Sequence, residues 1–212
     1  MEDKIIKEAK EILDKICEKY KHHDKEIMQG VAGEKLHSLD VLIWIEKLNP
    51  HPSLALKLAA LFHDIDRIVT PKVGGGFKGE RNTKAYFEHK KKHAQRSADY
   101  IIPLLSKIVA DKDIVKKTEF LIIHHDDNGR QVEDLQDLGL NYLVTADSFA
   151  FFTSIAPKLY AAEGKERIKD KIRFMIDKIP DFARKKLEEH QLENSIFNKF
   201  KNKIIKEYYQ NN

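Results

Sequence analysis

The sequence predicts an all-α fold, a single helical domain spanning residues 1–212, on three observations. Apolar residues recur at three- and four-residue steps along most of the chain, the period of one helix face. No segment alternates polar and apolar residues cleanly enough to make a half-buried strand. Only nine Gly and six Pro interrupt 212 residues, and neither type gathers into a linker.

Ile5, Ile6, Ala9, Ile12, Leu13 and Ile16 give the first amphipathic helix. Leu36 to Leu48 repeats the pattern and stops at Asn49-Pro50, because the residue before a proline is pushed out of the helical region. Ser53 is a candidate cap for a helix running from Leu54 to about Ile68. The loop TPKVGGGFKGERN follows, and its three adjacent glycines favour mobility. Further helices are expected at about Thr83–Lys107, Lys112–His125, Leu138–Ala156, Glu166–Ile179, Asp181–Glu189 and Asn194–Tyr209. The helix ERIKDKIRFMIDKI reads as an amphipathic packing helix whose Lys171 or Met175 can also line an opening.

The bulk composition excludes several function classes. Apolar residues make up 42% of the chain and charged residues 34%, enough for a real core under a solvated surface. The lone cysteine, Cys17, excludes a disulfide scaffold and fits a reducing compartment. No stretch of roughly 18 uncharged apolar residues exists to span a bilayer. The charged, periodic N-terminus is unlike a signal peptide, so the expected location is the cytoplasm. The net charge of +4 suits a small anionic partner. No basic stripe with interleaved aromatics appears, so no specific nucleic-acid role is expected. Oligomeric state is not encoded in any readable pattern.

Against this background five places put metal-capable side chains on helices or at their ends: His37, His63-Asp64, His93, His124-His125 and Asp147. Successive places are about one helix and one connection apart, so the helices can return them to a common centre. Imidazole with carboxylate suits divalent ions such as Zn, Mn, Fe, Co or Ni. Adjacent helical residues point about 100° apart, which lets His63 and Asp64 share one metal or bridge two. Each place also has an ordinary explanation, such as histidine at a helix C-terminus. Their order carries more information than any one of them.

That order resembles the HD superfamily, whose pattern H…HD…D holds divalent metal within a helical bundle. His37 matches the first histidine, His63-Asp64 the doublet and Asp147 the last aspartate, with AALFHDI similar to the family's run around its doublet. The resemblance covers roughly residues 30–155 and leaves about 165–210 as C-terminal packing helices. Members with two further histidines bind two metals; His93, followed by AQRSA, and either His124 or His125 match them, with His124 slightly favoured. This branch includes HD-GYP phosphodiesterases, symmetrical diadenosine tetraphosphatases and diiron oxygenases related to inositol oxygenase. The Gly-Tyr-Pro signature is missing after HHDDNGR, which argues against a cyclic dinucleotide substrate.

The resemblance implies a phosphohydrolase acting on a nucleotide or another small phosphate ester, with one or two divalent ions (Mn, Fe, Co, Ni, Zn or Mg). Two such ions about 3.5–4 Å apart activate a water for in-line attack on phosphorus. His37, His63, Asp64 and Asp147 would define one ion, His93 and His124 or His125 the second, with Asp64 bridging. Arg67 and Arg96 each follow a candidate ligand by three positions, on its own helical face, and would meet phosphate or pair with a ligand carboxylate. Lys78, Arg81 and Lys84 surround the glycine-rich loop and would close over an anion, although no GK[ST] follows to make a P-loop. His89 shares a face with His93 and is expected to contact substrate or solvent. The rival expectations are a diiron oxygenase at the same ligands and a non-catalytic anion-binding module.

Overall fold

Side-chain caps set where several helices begin. The hydroxyls of Ser53 and Thr83 accept from Leu56 N (3.3 Å) and Tyr86 N (3.2 Å). Carboxylates of Asp111 and Asp137 accept from Asp113 N (2.8 Å) and Leu140 N (2.9 Å). Each satisfies a backbone donor that the first helical turn leaves unpaired, a gain of about 1 kcal/mol.

The computed structural model describes residues 1–74, 77, 83–127 and 136–211. It is all-α: α1 (Glu2–Lys19), a 3-10 turn (Lys21–Glu26), α2 (Gly30–Leu48), α3 (Leu54–Phe62), the one-turn helices α4 (Asp66–Val69) and α5 (Pro71–Gly74), and α6 (Lys84–Leu105). There follow α7 (Lys112–His124), α8 (Leu138–Ala150), a π turn (Phe151–Ile155), α9 (Ala156–Asp177), α10 (Asp181–Glu189) and α11 (Ser195–Asn211). No strand occurs among the described residues. None of their helices is long and apolar enough to cross a membrane.

α3, with the sequence LALKLAALF, is apolar on nearly every face and therefore sits in the centre. It packs against α1, α2, α7 and α8, and α7 packs against α6. Leu58, Ala59 and Phe62 are fully enclosed there; burying one such leucine contributes roughly 1.5–3 kcal/mol. A second apolar cluster joins Phe151, Ile168, Ile172, Leu187 and Phe197 from the C-terminal helices, and Trp44 touches both clusters. Lys201 is buried because its ammonium donates to the carbonyls of Leu187 (2.7 Å), Glu188 (3.2 Å) and His190 at the end of α10.

Three boundaries differ from the sequence expectation, each for a physical reason. α2 starts at Gly30 rather than near Leu36, because Asp24 Oδ1 accepts from Val31 N at 2.9 Å and caps it early. α3 stops at Phe62 instead of running to Ile68: Ile65 N bonds Phe62 O and Arg67 N bonds Asp64 O, so the His-Asp doublet lies in tighter turns. α8 continues through the π turn into α9, past the end expected at Ala156, because Pro157 falls in the first turn of α9, where a missing N–H costs nothing. The break expected before Glu166 falls at Gly164, whose φ of 79° and ψ of −171° kink α9 into two helical stretches.

Candidate metal centre

Four imidazoles, from α2, the α3–α4 turn, α6 and the end of α7, meet two carboxylates in the interior. They are His37, His63, His93 and His125, with Asp64 and Asp147, and none of the six is more than 6% exposed. Two ligand-capable groups result: His37, His63 and Asp147, and Asp64, His93, His125 and Asp126, each with its donor atoms within 4.8 Å of one another.

The hydrogen bonds on the outer side of each ring decide what the inner side can do. His63 Nδ1 donates to Ala60 O (3.1 Å) and His125 Nδ1 to Ile122 O (2.7 Å), because a carbonyl can only accept. Ser154 Oγ gives its hydrogen to Ala150 O (2.7 Å), so at His37 Nδ1 (2.9 Å) it accepts. His93 Nδ1 donates to Asp66 Oδ2 (3.0 Å). In its neutral form each of the four rings therefore turns an Nε2 lone pair inward.

What these lone pairs meet is also an acceptor. His37 Nε2 lies 3.1 Å from Asp147 Oδ1, and His63 Nε2 lies 3.9 Å from both Asp147 Oδ1 and Asp64 Oδ2. His93 Nε2 and His125 Nε2 lie 2.7 and 3.3 Å from Asp64 Oδ1. The Nε2 atoms of His63 and His125 are buried with no hydrogen-bond partner. Lone pairs facing carboxylate oxygens in a buried space require a cation or protons between them. Outward-donating Nδ1 with inward Nε2 is how ligand histidines are held, so the donor set fits a bound divalent metal. The buried His/Asp groups can hold a metal ion, and Asp64 turns one oxygen toward each group.

Burial alone would raise the carboxyls of Asp64, Asp126 and Asp147, but neighbouring cations hold all three below the usual range: Arg67 for Asp64, Lys90 for Asp126 and Lys178 for Asp147. Burial also pushes His63 down to about 4, which keeps its ring neutral. His93 goes the other way. Burial opposes its charge, yet its bonds to Asp64 and Asp66 outweigh that and raise it.

A cavity of about 220 Å³ opens onto Asp64, Asp147, His93 and Asp126. Arg67, Lys90, Arg167 and Lys171 line it together with Glu26, Glu34 and Glu163, while Phe77, Tyr86, Leu159 and Met175 are among its apolar lining. Both residues expected from the late helix, Lys171 and Met175, line it.

The remaining sequence candidates divide clearly. His125, not the favoured His124, joins the cluster; the His124 ring is partly exposed and bonds Asp127 Oδ2 at 2.8 Å. α7 ends at His124, and the turn that follows swings the next ring inward. Arg67 lines the cavity and holds Asp64 Oδ2 at 2.7 Å. Arg96 is turned to Asp66 (2.8 Å) and Val73 O (3.2 Å), away from the cavity wall. His89 lines the cavity beside Phe77, with ring centroids 5.3 Å apart. Lys84 is exposed and 4.0 Å from Glu88. Lys78 and Arg81 lie outside the described residues.

Comparison with known protein families, with curated proteins and with solved structures finds no match. The centre is thus defined by its own geometry.

Sequence reasoning missed Asp66, Asp126, Lys90, Lys178, Gln29 and Glu34. Asp66 orients His93 and Arg96; Lys90 and Lys178 pair with Asp126 and Asp147. Asp66, two residues past the doublet, and Asp126, next to His125, had a signal in their adjacency. Lys90 and Lys178 look like any solvated helix lysine in the sequence.

Proposed function

We propose that the chain is a metal-dependent phosphohydrolase of the HD type acting on a small phosphate ester. The observation that carries this reading is the set of four imidazoles donating outward through Nδ1 and converging through Nε2 on Asp64 and Asp147, beside a cavity that Arg67 also lines. His37, His63 and Asp147 would hold one cation, and His93, His125 and Asp126 a second, with Asp64 shared. A divalent cation at such ligands polarises a phosphoryl oxygen and makes a water acidic enough to attack near neutral pH.

The protein's own groups do the rest. Arg67 keeps Asp64 ionised and oriented and also lines the cavity, where it can pair with a phosphate. Lys171 is partly buried, and burial together with Lys90 and Lys178 depresses its affinity for a proton. A phosphate dianion beside it would restore that charge, so substrate binding there is favourable. Asp66 and Ser154 fix the rings of His93 and His37 before substrate arrives. Enclosure of the cluster removes bulk water, and each of these charge interactions gains from the lower dielectric.

Protein reconstituted with Mn, Co or Ni should release phosphate from nucleotides or sugar phosphates, and His63→Ala or Asp64→Ala should abolish release. Activity unaltered in both variants removes the assignment. Arg67, a guanidinium-bearing residue in the cavity beside Asp64, ranks hydrolysis above oxygen activation by iron at these ligands. Tightly held iron with no phosphate release would reverse that order.

A further inference from the structure

On the side of the cavity formed by the start of α2, two buried acceptors lack partners. Gln29 Oε1 and Glu34 Oε2 have no hydrogen-bond partner, although both residues line the cavity and are only 6% and 5% exposed. Burial pushes the Glu34 carboxyl up and the neighbouring Gln29 side chain eases it, so the two unpaired acceptors share one part of the wall. An unpaired buried acceptor is costly, and two in one cavity wall call for a ligand that brings donors.

The pair is held in place by the surrounding backbone. Gly30 turns the chain at φ 71°, where a side chain would sit 2.6 Å from Asp24 Oδ1, the oxygen that caps Val31 N. Lys158 Nζ grips the Gln29 carbonyl at 2.8 Å. The Gln29 side chain lies across Gly33, where an added Cβ would approach its Cβ to 2.9 Å. A Gln29 side chain so close to helix backbone has little freedom to turn away and find solvent.

We propose that Gln29 and Glu34 form a hydroxyl-recognition subsite for the sugar or polyol part of a phosphate ester. This rests on the phosphohydrolase reading for the position of the phosphate end. Hydroxyls bring the O–H donors that both acceptors lack, and Arg67 in the same cavity is placed for the anionic end of the same molecule. Two acceptors in one cavity wall suit two adjacent hydroxyls, such as a vicinal diol.

Calorimetric titration of the chelator-treated whole chain tests the subsite without turnover. The probes are adenosine 5′-monophosphate and its 2′,3′-dideoxy counterpart. Wild type should bind the hydroxylated probe roughly tenfold or more tightly. Gln29→Leu should remove the difference while the protein stays folded by thermal melting, and Gly33→Ala, which displaces Gln29 without altering it, should do the same. Equal binding of both probes by wild type, binding of neither, or a preference that survives in both variants overturns the subsite. Release of phosphate from phenyl phosphate, which has no hydroxyl to offer, is read separately. If it persists while the preference is absent, the subsite falls and the phosphohydrolase reading stands.

Discussion

Asp64 Oδ1 lies 2.7 Å from Nε2 of His93, a ring whose Nδ1 hydrogen is already given to Asp66. A neutral ring has only a lone pair to offer Asp64 at that distance. In the metal-free protein a proton settles the contact, consistent with the raised affinity of His93 for one. A divalent cation would take the proton's place.

Asp64→Asn keeps the shape and removes the shared charge. Retained metal should fall below one equivalent per chain, and phosphate release by at least roughly a hundredfold. Elemental analysis and a phosphate assay on the same preparation check both. Retention equal to wild type would show that Asp64 is not shared between two ions.

The two adjacent histidines should behave differently. His125→Ala removes a ring whose Nε2 lies 3.3 Å from Asp64, and metal affinity should drop sharply. His124→Ala removes a surface pairing with Asp127, and affinity should change by less than about twofold. Competition with a chelator of known affinity measures both, and the reverse ranking would contradict the ring assignment.

Arg67 and Arg96 separate substrate contact from ring positioning. Arg96→Ala leaves Asp66 without its arginine, so metal affinity should fall roughly tenfold while the KM of metal-saturated protein stays close to wild type. Arg67→Ala should raise KM even with metal in excess, because its guanidinium lines the cavity. A raised KM for Arg96→Ala at saturating metal would place that residue with the substrate.

Two pH effects follow. Metal binding should strengthen as pH rises above the ordinary imidazole range, since the raised His93 must lose its proton, and uptake should release acid into weak buffer. His63, pushed down to about 4, adds no further dependence near neutrality. For metal-free folding, Asp64, Asp126 and Asp147 all lie below their usual range. Their contribution is present above the unfolded carboxylate value of about 3.9 and is lost as pH falls below it. His93 has the opposite sign. Its contribution is full below the unfolded value of about 6.5 and is lost as pH rises through the raised folded value. Melting temperatures between acid and neutral pH, with and without chelator, test both signs.

Much of this was legible before any coordinates. Helical period placed α1, α6 and α7 closely, and the order of His37, His63-Asp64, His93 and Asp147 named residues that share the interior. The choice between His124 and His125 was not legible, because adjacent residues at a helix end point about 100° apart and only the following turn selects one. Arg96 shows the limit of face arguments: it shares a face with His93, but Asp66 stands there to take it. Lys178 lies between Ile176 and Ile179 of the second apolar cluster, and only long-range packing brings it against Asp147. Gln29 and Glu34 are ordinary surface residue types, and the close approach that Gly33 allows to the Gln29 side chain cannot be read from residue type.

The most direct test is a count of metal atoms. Wild-type chain and His63→Ala should be loaded with Mn or Co, dialysed, and assayed for metal and protein together. Inward Nε2 lone pairs on shared carboxylates call for close to two ions per wild-type chain and a clear deficit in the variant. No retained metal in wild type, or the same amount in both, would mean that these rings converge for some other purpose.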